Sequence, residues 1–281
     1  MRARLDLAMA RHVHLNWELK LERAVQTGQG EVALQSDTAC ALGLWLHGTG
    51  MERYGGNDTM HELVRVHRQF HRDAEAVVAG LPTPGAGSGL AMAEVRARSR
   101  EIVFLLTRLE LTAMEESRQL SREGGEPALR SVWRRLFDGP HLATADDRRL
   151  LEVGHARLQH LRWTLAMPDA FRNWGRDALP GVAEECALGV WIRDVGLRRY
   201  HNLPAMVQLD QMHHAFHDRA TTTVLALRKR RGGLADHAYR DMLDLSREIV
   251  YLLAMIEFQL LDTDVIVRRA SILDDDGEVV G

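Results

Sequence analysis

The sequence CALGLW at residues 40–45 recurs as CALGVW at residues 186–191. Around this hexapeptide, residues 40–74 align with residues 186–220 without a gap, at a constant offset of 146. Self-similarity over such a length indicates an internal duplication, in which each copy is one structural unit. The chain is therefore predicted to contain two homologous domains.

The repeat extends on both sides of this segment. Upstream, HLNW at 14–17 matches HLRW at 160–163 at the same offset. Downstream, SREIV at 99–103 matches SREIV at 246–250, where the offset slips by one residue. The simplest interpretation of the shared Ser-Arg-Glu triplet is pairing between its arginine and its glutamate. The repeat thus covers most of two similar halves.

Apolar residues in both copies follow helical spacing, and no segment shows the alternation of a strand. In the first helix the stripe is Leu7, Ala10, His14, Trp17 and Leu21. We predict an all-α fold of two tandem antiparallel four-helix-bundle-like domains that arise from the duplication.

The expected domain boundaries follow from the repeat and from the breaks in helical spacing. The domains are 1–123 and 144–265, joined by a glycine- and proline-containing linker at 124–143 and followed by a flexible tail at 266–281. Asp58 and Asn202 are predicted N-caps of the third helix in each copy, and Pro204 suits a first helical turn.

Composition excludes several functional classes. The 281 residues include 46% hydrophobic and 27% charged side chains, which is typical of a folded globular protein. The net charge of −3 gives no indication of a nucleic-acid or anionic-membrane partner. No apolar run is long enough for a membrane span or a signal peptide, so we expect a cytoplasmic location. Two cysteines are too few for a disulfide framework.

Polar residues recur on faces where a packed core is expected. His67 and His71 lie four residues apart, so both rings leave the apolar face of one helix. His14 lies on the first apolar stripe, and Cys40 shares a face with Gly43. All four recur in the second copy, whereas many neighbouring residues differ. The predicted metal ligands are His14, Cys40, His67, His71, His160, Cys186, His213 and His217.

Three neutral imidazoles and one thiolate form a closed set that suits tetrahedral zinc, so we expect two Zn²⁺ per chain. A thiol among imidazoles is also in an environment that lowers its pKa. For the second copy, both the register and the spacing favour His213 over the adjacent His214. Core packing alone is the simpler interpretation of any one of these residues, but their repetition as a set argues against it.

The order His-x-x-Trp, Cys-x-Leu-Gly-x-Trp, His-x-x-x-His, with identical gaps in both halves, resembles the chemoreceptor zinc-binding (CZB) domain. The resemblance implies a helical bundle with zinc held by three histidines and one cysteine. It also implies a cytoplasmic sensory module linked to chemotaxis or cyclic-di-GMP signalling, which responds to zinc or to oxidants through its cysteine. The family often forms two-fold dimers, so an intramolecular pseudo-dimer or a homodimer is expected.

The expected function is therefore that of a zinc-binding regulatory protein that signals to a partner protein, without catalytic residues. No coiled-coil signalling hairpin or cyclase signature is recognised in the sequence. A hemerythrin-like di-iron protein or a zinc hydrolase is the main alternative, but the repeat retains no carboxylate on the faces of the ligands. A scaffold protein with purely structural zinc would use the same ligand set, so this function stays open as an alternative.

Overall fold

The computed structural model divides the chain into two units, Met1–Ser117 and Arg118–Gly281. It describes the backbone at 2–27, 34–80, 87–123, 145–171 and 183–275, and side chains at 7–27, 34–80, 91–117, 152–168 and 183–261. The predicted linker at 124–143 and the last residues, 276–281, lie outside these ranges. Every regular element in the described ranges is helical, which confirms the predicted all-α class.

The first unit contains three long helices and one segmented short one. Helix α1 spans Arg2–Thr27, α4 spans Asp58–Gly80 and α5 spans Gly87–Glu123. Between α1 and α4 lie α2 (Ala41–Trp45), a π-helical turn (Leu46–Gly50) and α3 (Met51–Tyr54). The predicted second bundle helix is thus short and broken, because Gly48 leaves helical geometry at φ −108°, ψ −115°.

The second unit has the same order of elements. Helix α6 spans Ala145–Phe171, α7 spans Ala187–Trp191, α8 spans Leu197–Arg199, α9 spans Pro204–Arg228 and α10 spans Gly232–Asp275. A π-helical turn at Ile192–Gly196 again separates the two short helices. Helix α10 continues beyond 265, so the segment predicted as a flexible tail is helical through Asp275.

Contacts between side chains show that the long helices run antiparallel. In the first unit, α1 pairs with α5 in reversed order, through Arg11 with Glu110 and Glu22 with Arg96. In the second, α9 pairs with α10 through Gln208 with Glu248 and Arg219 with Asp241. Among the described residues, no helix combines the length and the apolar character that a membrane span needs.

Apolar side chains of each unit form its own core around a buried phenylalanine, Phe70 or Phe216. The predicted N-caps are wrong in both copies. The side chain of Asn57, not that of Asp58, accepts a hydrogen bond from the amide of Thr59 at 2.9 Å. Helix α9 begins after Leu203 without a side-chain cap, and Pro204 occupies its first turn, as predicted.

Candidate metal centre

The cysteine of each unit caps a short helix. Cys40 is extended (φ −69°, ψ 160°) at the N-terminus of α2, and its Sγ accepts a hydrogen bond from the Gly43 amide at 3.2 Å. Cys186 has the same conformation and accepts from the Gly189 amide at 3.3 Å. The free backbone N–H groups at a helix N-terminus usually bond to the side chain of Ser, Thr, Asp or Asn. Here a cysteine takes that role, so its sulfur lies where these N–H groups converge.

Gly43 lets the turn before α2 approach this cap closely. A Cβ at this position would lie 2.0 Å from the backbone oxygen of Asp37. The equivalent Cβ at Gly189 would lie 1.8 Å from the backbone oxygen of Ala183. Both glycines are therefore required for the position of the cysteine.

Three of the four predicted ligands of each unit come together. The ligand atoms of Cys40, His67 and His71 all lie within 4.8 Å of one another, and so do those of Cys186, His213 and His217. The Cys40 Sγ is 3.4 Å from the His67 Nε2. The corresponding distance from Cys186 to His213 is 3.1 Å. His213 is buried in this group, whereas His214 lies at the surface.

His14 lies beside the first group and is not a member of it. It lines the same cavity of about 220 Å³ as Cys40, His67 and His71. Its ring packs edge-on against Phe70, with the ring centroids 4.7 Å apart. His160 packs against Phe216 in the same way, with the centroids 4.8 Å apart. Both first-helix histidines are thus buried. In each unit the structure brings three of the four predicted ligands together, and the first-helix histidine lies outside that group.

The buried histidines are held in the neutral form. Burial, together with the neighbouring His71, lowers the pKa of His67 to about 3. Burial likewise lowers the pKa values of His160 and His213 to about 3. The pKa of His14 is well below its usual value because the ring is buried and close to the other two histidines. Neutral imidazole is the form that binds a metal.

The prediction that the neighbouring histidines lower the pKa of each cysteine is wrong for the protein without a metal. Burial raises the pKa of the Cys40 thiol, although amide hydrogen bonds from Gly43 and Leu42 oppose this effect. Burial raises the pKa of the Cys186 thiol in the same way. These imidazoles are neutral, so they supply no positive charge to offset the effect of burial on the thiolate.

The residues present fit a zinc ion. A thiol and two imidazoles converge in each unit, and this donor set suits Zn²⁺. The buried Nδ1 of His71 has no hydrogen-bond partner among the described residues, although a buried polar atom normally has one. Such a nitrogen is suited to donate its lone pair to a metal.

Sequence reasoning missed the roles of two recurring sets of residues, one of serines and one of ion pairs. Ser99 and Ser246 are fully buried and lie within hydrogen-bond distance of His14 and His160. Two ion pairs also recur, each at 3.1 Å: Arg11 with Glu110, which are both buried, and the buried Arg157 with the partly buried Glu257. Their signal was present in the sequence, because the serines and glutamates recur at the shifted offset of 147.

Comparison with known proteins agrees with the donor set. Residues 14–78 match the sequence model of the chemoreceptor zinc-binding domain. No curated protein and no solved structure matches the chain. The matched segment contains the four predicted ligands of the first unit. Residues 14–78, which include His14, Cys40, His67 and His71, are therefore similar to a chemoreceptor zinc-binding domain.

Proposed function

We propose that this chain is a non-catalytic sensory or regulatory protein that binds two zinc ions, one in each unit. The zinc ligands are His14, Cys40, His67 and His71 in the first unit and His160, Cys186, His213 and His217 in the second. The observation that carries the proposal is the convergence of a thiol and two imidazoles in each unit, together with the family match to the first. His14 and His160 complete each set when zinc draws the ligands together.

Zinc supplies a positive charge that stabilises the thiolate and joins the helices that carry its ligands. Cys40 begins α2, His67 and His71 lie on α4, and His14 lies on α1. Loss of the sulfur ligand would therefore release α2 from the two long helices. We propose that a partner signalling protein of the cytoplasm, in chemotaxis or cyclic-di-GMP signalling, reads this release, and that the units pair with each other or with a second chain.

An oxidant such as a peroxide is the proposed trigger for this release. The thiolate attacks one peroxide oxygen, an S–O bond forms, the O–O bond breaks and hydroxide leaves, so that sulfur is oxidised and the peroxide reduced. The resulting sulfenic acid is a weaker ligand than the thiolate. Depletion of zinc would release α2 by the same route without oxidation.

The test is the zinc content of purified protein, measured by mass spectrometry. We expect about two zinc ions per chain, about one in either Cys40→Ser or Cys186→Ser, and none in the double variant, because a hydroxyl is a poor substitute for a thiolate at zinc. Iron in place of zinc, or a metal-free protein with an intact fold, would overturn the proposal and favour a di-iron protein or simple core packing.

Zinc binding should release about one proton per site at pH 7, because the thiol is protonated and the histidines are already neutral. The measurement is calorimetric titration with zinc in buffers of different ionisation enthalpy. A release near zero would mean that the thiolates exist before the metal arrives. A release of several protons would mean that the histidines are charged in the metal-free protein.

A further inference from the structure

A hydrogen-bonded chain extends behind His14, on the side away from solvent. The His14 Nε2 lies 2.9 Å from the Ser99 Oγ, and the Ser99 hydroxyl donates a hydrogen bond to the carboxylate of Glu18. Ser99 and Glu18 are both 0% exposed. A buried carboxylate is thus linked through one serine to the first-helix histidine.

The second unit keeps the serine and replaces the carboxylate. The His160 Nε2 lies 3.0 Å from the Ser246 Oγ, and the Ser246 Oγ lies 3.0 Å from the Thr164 Oγ1. Thr164 occupies the position of Glu18 in the repeat and is 1% exposed. Its hydroxyl donates to the backbone oxygen of His160 at 3.1 Å. The hydrogen-bonded network of the second unit therefore joins the equivalent residues, but it contains no charged group.

Counting protons fixes the direction of both chains. A serine hydroxyl has one proton, and Ser99 donates it to Glu18, so its oxygen must accept from the Nε2–H of His14. When the Thr164 hydroxyl donates to the backbone oxygen of His160, Ser246 donates to Thr164 and accepts from the Nε2–H of His160. In both units the first-helix histidine therefore carries its proton on Nε2 and offers the lone pair of Nδ1.

The two units differ in charge near the metal centre. Glu18 places a buried carboxyl group in the first unit, and as a carboxylate it adds a negative charge whose effect on a cation is preserved by the low solvent access. Other charged groups lie nearby, and they include the exposed Glu75, which acts on His71. Lys20 is exposed at the edge of the cavity, and Asp37 is paired with Arg68 at 3.3 Å. In the second unit Glu184 is exposed, so water and salt screen it.

We propose that Ser99 and Ser246 are positioning residues that direct Nδ1 of His14 and His160 to zinc, and that Glu18 makes the first site bind zinc more tightly than the second. The proposal rests on the proposed function. Partners behind a metal-ligating histidine typically change metal affinity by about 10- to 100-fold. A chain with two unequal sites would respond over two ranges of zinc concentration, with the first site filled at the lower range.

The affinities are measured by competition with a chromophoric zinc chelator, one site at a time. Cys186→Ser reports the first site and Cys40→Ser reports the second. We expect at least about tenfold tighter binding at the first site. Glu18→Gln, which keeps the acceptor for Ser99 and removes the charge, should abolish most of this difference. Ser99→Ala should weaken the first site, and Ser99→Thr should restore it.

Equal affinities of the two single-site variants, or a Glu18→Gln variant that binds zinc as tightly as its parent, would overturn the unequal-site proposal while leaving the proposed function intact. Failure of both single-site variants to bind any zinc would overturn the proposed function itself. Nitrogen-15 NMR of the metal-free protein gives an independent readout. We expect His14 and His160 as Nε2–H tautomers, and Nδ1–H tautomers would contradict the assigned direction.

Discussion

The substitution Gly43→Ala should remove about one zinc ion per chain and destabilise the first unit. The added Cβ would lie 2.0 Å from the backbone oxygen of Asp37, which cannot move without displacing the turn that ends at Cys40. Overpacking of this kind typically costs about 1–3 kcal/mol. Displacement of the turn would also carry Cys40 away from His67. Zinc analysis and urea unfolding measure the two effects.

The matched control in the same unit is Gly80→Ala, since no heavy atom of the described residues lies within 4 Å of a Cβ at that position. This variant should keep two zinc ions and the stability of the parent protein. Gly189→Ala should likewise remove about one zinc ion, from the second unit, because the added Cβ would lie 1.8 Å from the backbone oxygen of Ala183. A Gly43→Ala protein with full zinc content would show that the position of Cys40 does not depend on this close approach.

Acidification below pH 6.5 should destabilise the metal-free protein strongly. The folded-state pKa of His67 is about 3, whereas an unperturbed histidine has a value of 6.5. Between these values the unfolded chain binds protons that the folded chain excludes, so the free energy of unfolding falls as the pH falls. Each such histidine contributes at most about 1.4 kcal/mol per pH unit. His14, His71, His160 and His213 act in the same direction.

Urea unfolding at pH 7.5, 6.5 and 5.5, followed by circular dichroism, measures this dependence. His67→Gln should reduce the slope of stability against pH, and replacement of the exposed His237 by glutamine should leave it unchanged. Zinc should shift the loss of stability to lower pH, because the metal competes with protons for the same nitrogens. Equal stability at all three pH values would mean that the buried histidines bind protons as readily in the folded chain as in the unfolded chain.

Most of the fold followed from residues whose spacing repeats. The stripe of α4 places His67, Phe70 and His71 on one buried face, and the structure buries all three. The short second element was less predictable. Its apolar spacing is helical, but the non-helical backbone at Gly48 divides it, and the pattern of side chains carries no signal for a backbone break.

The ligand groups were predictable to the extent that their residues recur on core faces. Cys40, His67 and His71 were identified in this way, and the structure brings their ligand atoms together. The role of Ser99 was not predictable, because its partner His14 lies 85 residues away and only packing of α1 against α5 joins them. The raised thiol pKa was missed for a similar reason, since burial, not neighbouring residue type, decides it.

The most direct measurement is X-ray absorption at the zinc edge of the loaded protein, alone and as the His14→Ala and His160→Ala double variant. We predict one sulfur at about 2.3 Å and three imidazole nitrogens at about 2.0–2.1 Å per zinc. In the double variant, the imidazole count should fall to two. A parent spectrum with only two imidazoles per zinc, unchanged by the double substitution, would contradict the four-ligand site and exclude His14 and His160 from it.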